Sequence, residues 1–372
     1  MRTPDIEILS NPFILHPSGR IGADMETITR VIAESPITAP TGVVFDGTLA
    51  SLIRCYQADP DSPLKDTRYK TRLFYDSICR RLTADCGSER LADFDVRRVK
   101  RLYEGWSADG KVTMGHTCVA MLRIVLTYGT TYLRDPACRD LRLLLHDMRF
   151  KMPAPRRERL TAEQATLIRA RAHKVGRHSV ALAQAIQFEC ILRQKDVIGE
   201  WVPDSEPVAS DIHHGGFKWI RGARWSEVDA DLVLRHTTSK KLKDVEIDLT
   251  LAPMVMEEID LLPTSVQARR GDGGPIIVAE KSGLPWLSGE FRRIWRLIAR
   301  DCGIPDSVRN MDTRAGAITE ATEAGAPMLA IKQAATHSQI SMTERYARPG
   351  PKASAEVARY RVAHRNVGSS MN

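Results

Sequence analysis

Five polar side chains, Arg193, Lys240, Arg314, His337 and Tyr346, constrain this chain more than its composition does, because in that order they supply one kind of chemistry. A guanidinium, an imidazole and a phenol are the groups needed to break a phosphodiester by covalent catalysis without a metal. Three of them fall in the segment MDTRAGAITEATEAGAPMLAIKQAATHSQISMTERYARPG, where His337 lies nine residues before Tyr346. The polar stretch between them, with Ser338, Gln339 and Ser341, reads as a turn feeding a helix start at SMTERYA, so both side chains can approach one phosphate. Upstream, Arg193 sits in QAIQFECILRQKDVIGEW, an apolar-periodic stretch, and Lys240 in LVLRHTTSKKLKDVEIDL, which alternates as a hairpin does.

The set resembles the catalytic residues of the tyrosine recombinases, the phage-type integrases. In that family the first Arg is followed three residues later by an acidic residue, and Asp196 stands there. The family's catalytic Lys lies on a β-hairpin in a sequence like TKTGK, and TTSKKLKDVEIDL matches it if Lys240 is that lysine; Lys241 and Lys243 are the neighbouring alternatives. The second Arg belongs to H-x-[LF]-R, represented here by Met311, Asp312, Thr313 and Arg314. The segment TEAGAPMLAIKQAATHSQISMTERY follows the family's next pattern, with Ala335 and Thr336 where Leu and Gly are usual. The resemblance covers roughly residues 65 to 350 and is most specific from about 310 to 348. It implies a mainly α fold with a small antiparallel β-sheet: a helical core-binding domain followed by a mixed α+β catalytic domain.

Two departures stand out. Met311 occupies the usual His position and offers a phosphate no useful hydrogen bond. Losing one positioned donor is worth on the order of 3 kcal/mol, which slows such a reaction without abolishing it. Met311 also has a structural reading, as an apolar support packed beneath Arg314. The second departure is the insertion VPDSEPVASDIHHGGFKWIRGA before RWSEVD, which reads as a loop carrying a short extra strand at FKWI. The consecutive His213 and His214 inside it read as polar loop residues rather than as metal ligands.

Charge agrees with a nucleic-acid partner. Lys and Arg total 54 against 46 acidic residues, for a net +8 and a pI near 9.2. Residues 1–64 carry 4 basic and 8 acidic residues, whereas residues 65–160 carry 21 basic and 12 acidic. The positive charge is thus concentrated in the middle block, where a clamp on the phosphate backbone belongs. Seven cysteines (55, 79, 86, 118, 138, 190 and 302) show no zinc spacing and read as reduced thiols. The sequence has no stretch of 18 apolar residues to span a membrane, and MRTPDIEILS does not read as a secretory leader. A cytoplasmic, nucleoid-associated location is the expectation.

Along the chain, residues 1–64 read as an N-terminal arm with short helices at METITRVIAES and TLASLIRCYQ. Residues 65–150 read as four helices: one ending at Gly87, one ending at Gly110, one over TMGHTCVAMLRIVLTYG and one near CRDLRLLLHDM. In the third, Cys118, Met121, Leu122, Val125 and Leu126 share a face. Residues 151–160 form a proline-stiffened basic linker. The catalytic domain is expected over 161–350, with helices flanking a small sheet near 217–250, and a tail over 351–372. Arg97, Arg98, Lys100, Arg101, Arg123, Arg156 and Arg157 are the expected DNA-backbone contacts.

The resemblance implies a role for each site residue. Tyr346 attacks the phosphorus; a phenol, with a pKa near ~10, needs cationic neighbours, and Arg193 and Arg314 supply them while gripping the non-bridging oxygens. Lys240 protonates the departing 5′-oxygen, His337 bonds the phosphate or takes up the tyrosine proton, and Asp196 orients a neighbour. The product is a 3′-phosphotyrosyl linkage, reversible without ATP; no metal or cofactor is expected. The resulting expectation is a site-specific recombinase working on double-stranded DNA as a homotetramer, with no membrane partner. A type IB topoisomerase and a catalytically weakened DNA-binding relative are the alternatives.

Overall fold

A computed structural model describes residues 37–38, 42–264, 270–346 and 358–363. The chain divides into two units, Met1–Pro155 and Arg156–Asn372. The helix expected at METITRVIAES lies outside the described residues, as does most of the tail; residues 358–363 are helical.

In the first unit, a two-residue antiparallel pair, β1 (Ile37–Thr38) and β2 (Val44–Phe45), precedes five helices: α1 (Leu49–Ala58), α2 (Tyr69–Cys86), α3 (Val96–Ser107), α4 (Val112–Thr131) and α5 (Pro136–Asp147). Side-chain caps start three of them. Thr48, Asp95 and Asp135 accept the backbone N–H of Ser51, Arg98 and Cys138, satisfying donors that the first helical turn leaves open. The apolar stripe of α4 lies at the centre, with Cys118, Met121, Leu122, Val125 and Leu126 all buried. The stretch 42–64, expected to belong to an arm, is part of this core: Leu49, Leu52, Ile53, Cys55, Tyr56 and Leu64 are buried in it. Asp59 helps hold the segment there, since its carboxylate accepts the buried Tyr128 hydroxyl at 2.6 Å.

The second unit is built around α7 (His178–Glu189), packed between α6 (Ala162–Lys174) and α9 (Pro253–Asp260). Residues 179–188 of α7 are all buried, so its polar members must find partners inside. Gln184 accepts the Trp295 indole N–H at 2.8 Å, and Gln187 exchanges hydrogen bonds with Asn310. Short α8 (Gln194–Ile198) follows directly. Beyond it the strands form two sheets rather than one. β3 (Glu200–Pro203), β5 (Phe217–Ile220) and β4 (His213–His214) make an antiparallel sheet in the order β3-β5-β4, so the insertion folds as strands, FKWI included. The second sheet is a hairpin of β6 (Val233–Thr237) and β7 (Asp244–Asp248), with Thr237 opposite Asp244. Helices α10 (Ser288–Asp301), α11 (Asp312–Glu323), α12 (Met328–Ala334) and α13 (Ile340–Glu344) follow. Among the described residues, no helix is long and apolar enough to cross a membrane.

Candidate active site

The site begins where α7 stops. Cys190 caps the helix and Ile191 turns into the left-handed region at φ 53°, a conformation a β-branched residue rarely holds. The turn places Arg193 at the start of α8, its backbone N–H donating to the Asp196 carboxylate at 3.2 Å. The Arg193 Nη1 lies 3.7 Å from the same carboxylate and donates to the Thr336 hydroxyl at 3.2 Å.

Asp196 is fully buried, and its other oxygen accepts the Ser239 backbone N–H at 2.6 Å. That bond fixes the tip of the β6–β7 hairpin to the Arg193 segment. The tip itself is closed by Thr238, whose N–H donates to the Lys243 carbonyl at 2.8 Å and whose hydroxyl accepts the Lys243 N–H at 3.2 Å. Lys240 is exposed immediately beyond the anchor. Lys243 is exposed too, and its charge is felt at His337.

Arg314 rides on α11. A glycine is needed one turn from its start, because a Cβ on Gly316 would stand 1.7 Å from the Leu160 carbonyl oxygen. The Leu160 N–H in turn donates to the Asp312 carbonyl at 3.2 Å. The Arg314 guanidinium donates to two main-chain oxygens, those of Ile191 and Ala335. Burial, then the nearby Arg193 charge, lower its pKa to about 10, so it stays charged at neutral pH.

Helix α12 ends in a tight backbone turn. The Thr336 N–H donates to the Gln333 carbonyl at 2.8 Å and the His337 N–H to Lys332 at 3.0 Å, the paired bonds of a Schellman turn. Thr336 holds the left-handed position at φ 50°. His337 is buried, and its Nδ1 pairs with the Thr343 hydroxyl at 2.9 Å. Burial first, then Arg314, Arg193 and Lys243, bring its pKa down to about 4, so it is neutral at physiological pH. The Tyr346 ring stacks on it, with centroids 6.0 Å apart and planes 15° from parallel, and packs against Ile318, Ile331 and Ala335.

No protein-family model and no curated protein sequence matches the chain. Solved structures do. A lambda integrase dimer bound to a COC' core site aligns with a TM-score of 0.63 at 15% identity, over 87% of this chain and 81% of that one. A lambda integrase tetramer bound to a Holliday junction gives 0.62 at 15% identity, over 87% and 82%. The Tn1549 transposon integrase in complex with transposon right end DNA gives 0.57 at 15% identity, over 85% and 99%. The fold is that of the tyrosine recombinases.

Within this tyrosine-recombinase fold, Arg193, Asp196, Arg314, His337 and Tyr346 gather in one place, linked by the contacts above. Met311 does not pack beneath Arg314. It lies at the start of α11 with 64% of its surface exposed, and the two carbonyl oxygens hold the guanidinium instead. Arg156, expected on DNA, is bound within its own unit: its guanidinium donates to both oxygens of buried Asp312, at 2.7 Å from Nε, and to the Ser307 carbonyl. Arg98 is paired with Glu89, and Arg123 donates to the Leu145 carbonyl at 2.6 Å and lies over the Phe150 ring. Arg97, Lys100, Arg101 and Arg157 are exposed.

Four participants escaped the sequence reading. Ile191 and Ala335 act through main-chain oxygens that no side-chain motif encodes. Ser239 was readable only as the neighbour of Lys240. Thr336 was visible as a departure from glycine, but its contact with Arg193 was not.

Proposed function

We propose that the protein is a site-specific DNA recombinase that cuts and rejoins double-stranded DNA through a 3′-phosphotyrosyl intermediate on Tyr346. The observation that carries this reading is the convergence of two guanidinium groups, Arg193 and Arg314, beside a phenol stacked on His337. The Tyr346 oxygen forms a bond to phosphorus as the bond to the 5′-oxygen breaks. Arg193 and Arg314 grip the non-bridging oxygens, where negative charge grows in the transition state, so their bonds strengthen as the reaction proceeds. Lys240 on the hairpin delivers a proton to the departing 5′-oxygen.

The Thr343 hydroxyl selects the role of His337. If it accepts from Nδ1, Nε2 is a lone pair able to take the phenolic proton; if it donates to Nδ1, Nε2–H becomes a donor to the phosphate. Asp196 keeps the Arg193 segment and the hairpin in register. Rejoining is the reverse attack by a 5′-hydroxyl from another strand. Exchange between two duplexes requires four such sites, hence a homotetramer on DNA, acting in the nucleoid.

The test is incubation of wild type and Tyr346→Phe with supercoiled plasmid carrying the DNA that flanks the protein's own gene, followed by a detergent quench. A covalent protein–DNA band from wild type alone supports the reading, and strand exchange rather than relaxation separates a recombinase from a type IB topoisomerase. Site-specific binding without a covalent band from either protein would overturn the catalytic reading and leave a DNA-binding protein.

A further inference from the structure

We propose that Thr336 is a positioning residue of this site, its hydroxyl oxygen fixing the plane of the Arg193 guanidinium toward the scissile phosphate. The inference rests on the recombinase reading above. The turn that holds Thr336 is made of backbone bonds alone, from the Thr336 and His337 N–H groups to Gln333 and Lys332, and has no use for a side chain. Glycine is the residue such a turn favours, since its φ of 50° brings the Cβ of other residues close to the following carbonyl. A β-branched residue kept in that conformation points to a use for its side chain.

The use visible here is the 3.2 Å bond from Arg193 Nη1 to the Thr336 Oγ1. Thr336 is buried, with 5% exposure, while the Arg193 side chain retains 24%. One end of the guanidinium is therefore fixed inside and the other is open to a ligand. With Asp196 3.7 Å from the same nitrogen, Nη1 lies between a carboxylate and a hydroxyl. The chemistry of the second matters: a hydroxyl is a neutral acceptor, so it orients the guanidinium without neutralising the charge meant for a phosphate. A second carboxylate in its place would compete with the substrate. Because Met311 brings no donor, the site depends more on the aim of the guanidinium groups that remain.

The test compares Thr336→Gly and Thr336→Ser with wild type on the same supercoiled plasmid. Thr336→Gly removes the strain and should raise Tm by about 2–4 °C while slowing covalent-complex formation about 10-fold; Thr336→Ser should recover most of that rate. A purely structural role predicts the same gain in Tm for Thr336→Gly but cleavage at least as fast as wild type. A duplex with a methylphosphonate at the mapped cleavage position lacks the charge that Arg193 meets, so there the Thr336→Gly deficit should shrink to less than about 3-fold. A second measurement needs no DNA: the Arg193 Nε–H signal in nitrogen-15 spectra should be sharp in wild type and Thr336→Ser and broadened or averaged in Thr336→Gly. Wild-type cleavage by Thr336→Gly, or an unchanged Arg193 signal, overturns the proposal. A wild type that forms no covalent complex is a failure of the recombinase reading, and the Arg193 signal then decides the role of Thr336.

Discussion

Asp196 ties two separate parts of the chain together, accepting the Ser239 backbone N–H with one carboxylate oxygen at 2.6 Å and facing Arg193 with the other. The hairpin that carries Lys240 and the turn that carries Arg193 thus share one buried anchor. Asp196→Ala should lower the unfolding free energy by about 3 kcal/mol, since it strands a buried N–H and removes the partner of a guanidinium. Asp196→Asn, which keeps one oxygen, should cost about 1 kcal/mol. Urea denaturation measures both, and a loss below about 0.5 kcal/mol for the Ala variant would mean the hairpin is held elsewhere.

Met311 is exposed at the start of the helix that bears Arg314. A substitution there disturbs little packing, so Met311→His should leave Tm nearly unchanged. If it restores a donor to the phosphate, covalent-complex formation should accelerate about 10- to 100-fold. A rate equal to wild type on the same plasmid would show that this position does not face the reacting phosphate.

Arg156 and Arg101 separate structural from electrostatic roles. Removing Arg156 leaves the buried Asp312 carboxylate without its fork, so Arg156→Ala should destabilise the protein by about 2 kcal/mol. Arg101, exposed on α3, should change stability by less than about 0.5 kcal/mol when replaced by Ala. Its loss should instead weaken DNA binding across sequences and reduce the slope of log affinity against log salt by about 1. Gel-shift titrations at several salt concentrations and denaturation curves distinguish the two, and the reverse pattern would exchange their roles.

The pH dependence of stability follows from His337. Its pKa is near 4 in the folded chain and 6.5 ordinarily, so between those values the unfolded chain binds a proton that the folded one refuses. Stability therefore falls as pH drops from 6.5 toward 4, by on the order of 3 kcal/mol at the low end. His337→Gln should lose this component. Urea midpoints at pH 7 and pH 4.5 should differ less for the variant than for wild type; equal differences would mean the imidazole titrates normally.

Local signals explain what could be read from the sequence. Gly87 follows the last residue of α2, the helix near CRDLRLLLHDM is α5 and the apolar face of α4 is buried, because caps and periodicity act over a few residues. Thr343 lies six residues after His337 and Tyr346 nine, and the structure gives the first spacing a use in the Nδ1 bond and the second in the ring stack. The misses are long-range. Arg156 meets Asp312 across 156 residues, and Asp59 meets Tyr128 across 69, so a side chain expected on DNA and residues 42–64 of the expected arm are held inside folded units. Nor does a threonine announce a left-handed φ; only the surrounding structure imposes it.

The grip on Arg314 has a consequence for how such a chain can change over time. Its two acceptors, at Ile191 and Ala335, are peptide oxygens, and every amino acid supplies one. Replacing the side chains at 191 and 335 removes neither bond so long as the backbone path survives. A guanidinium fastened to peptide groups is largely blind to mutation in the residues that fasten it. The letters around it can drift while its geometry stands.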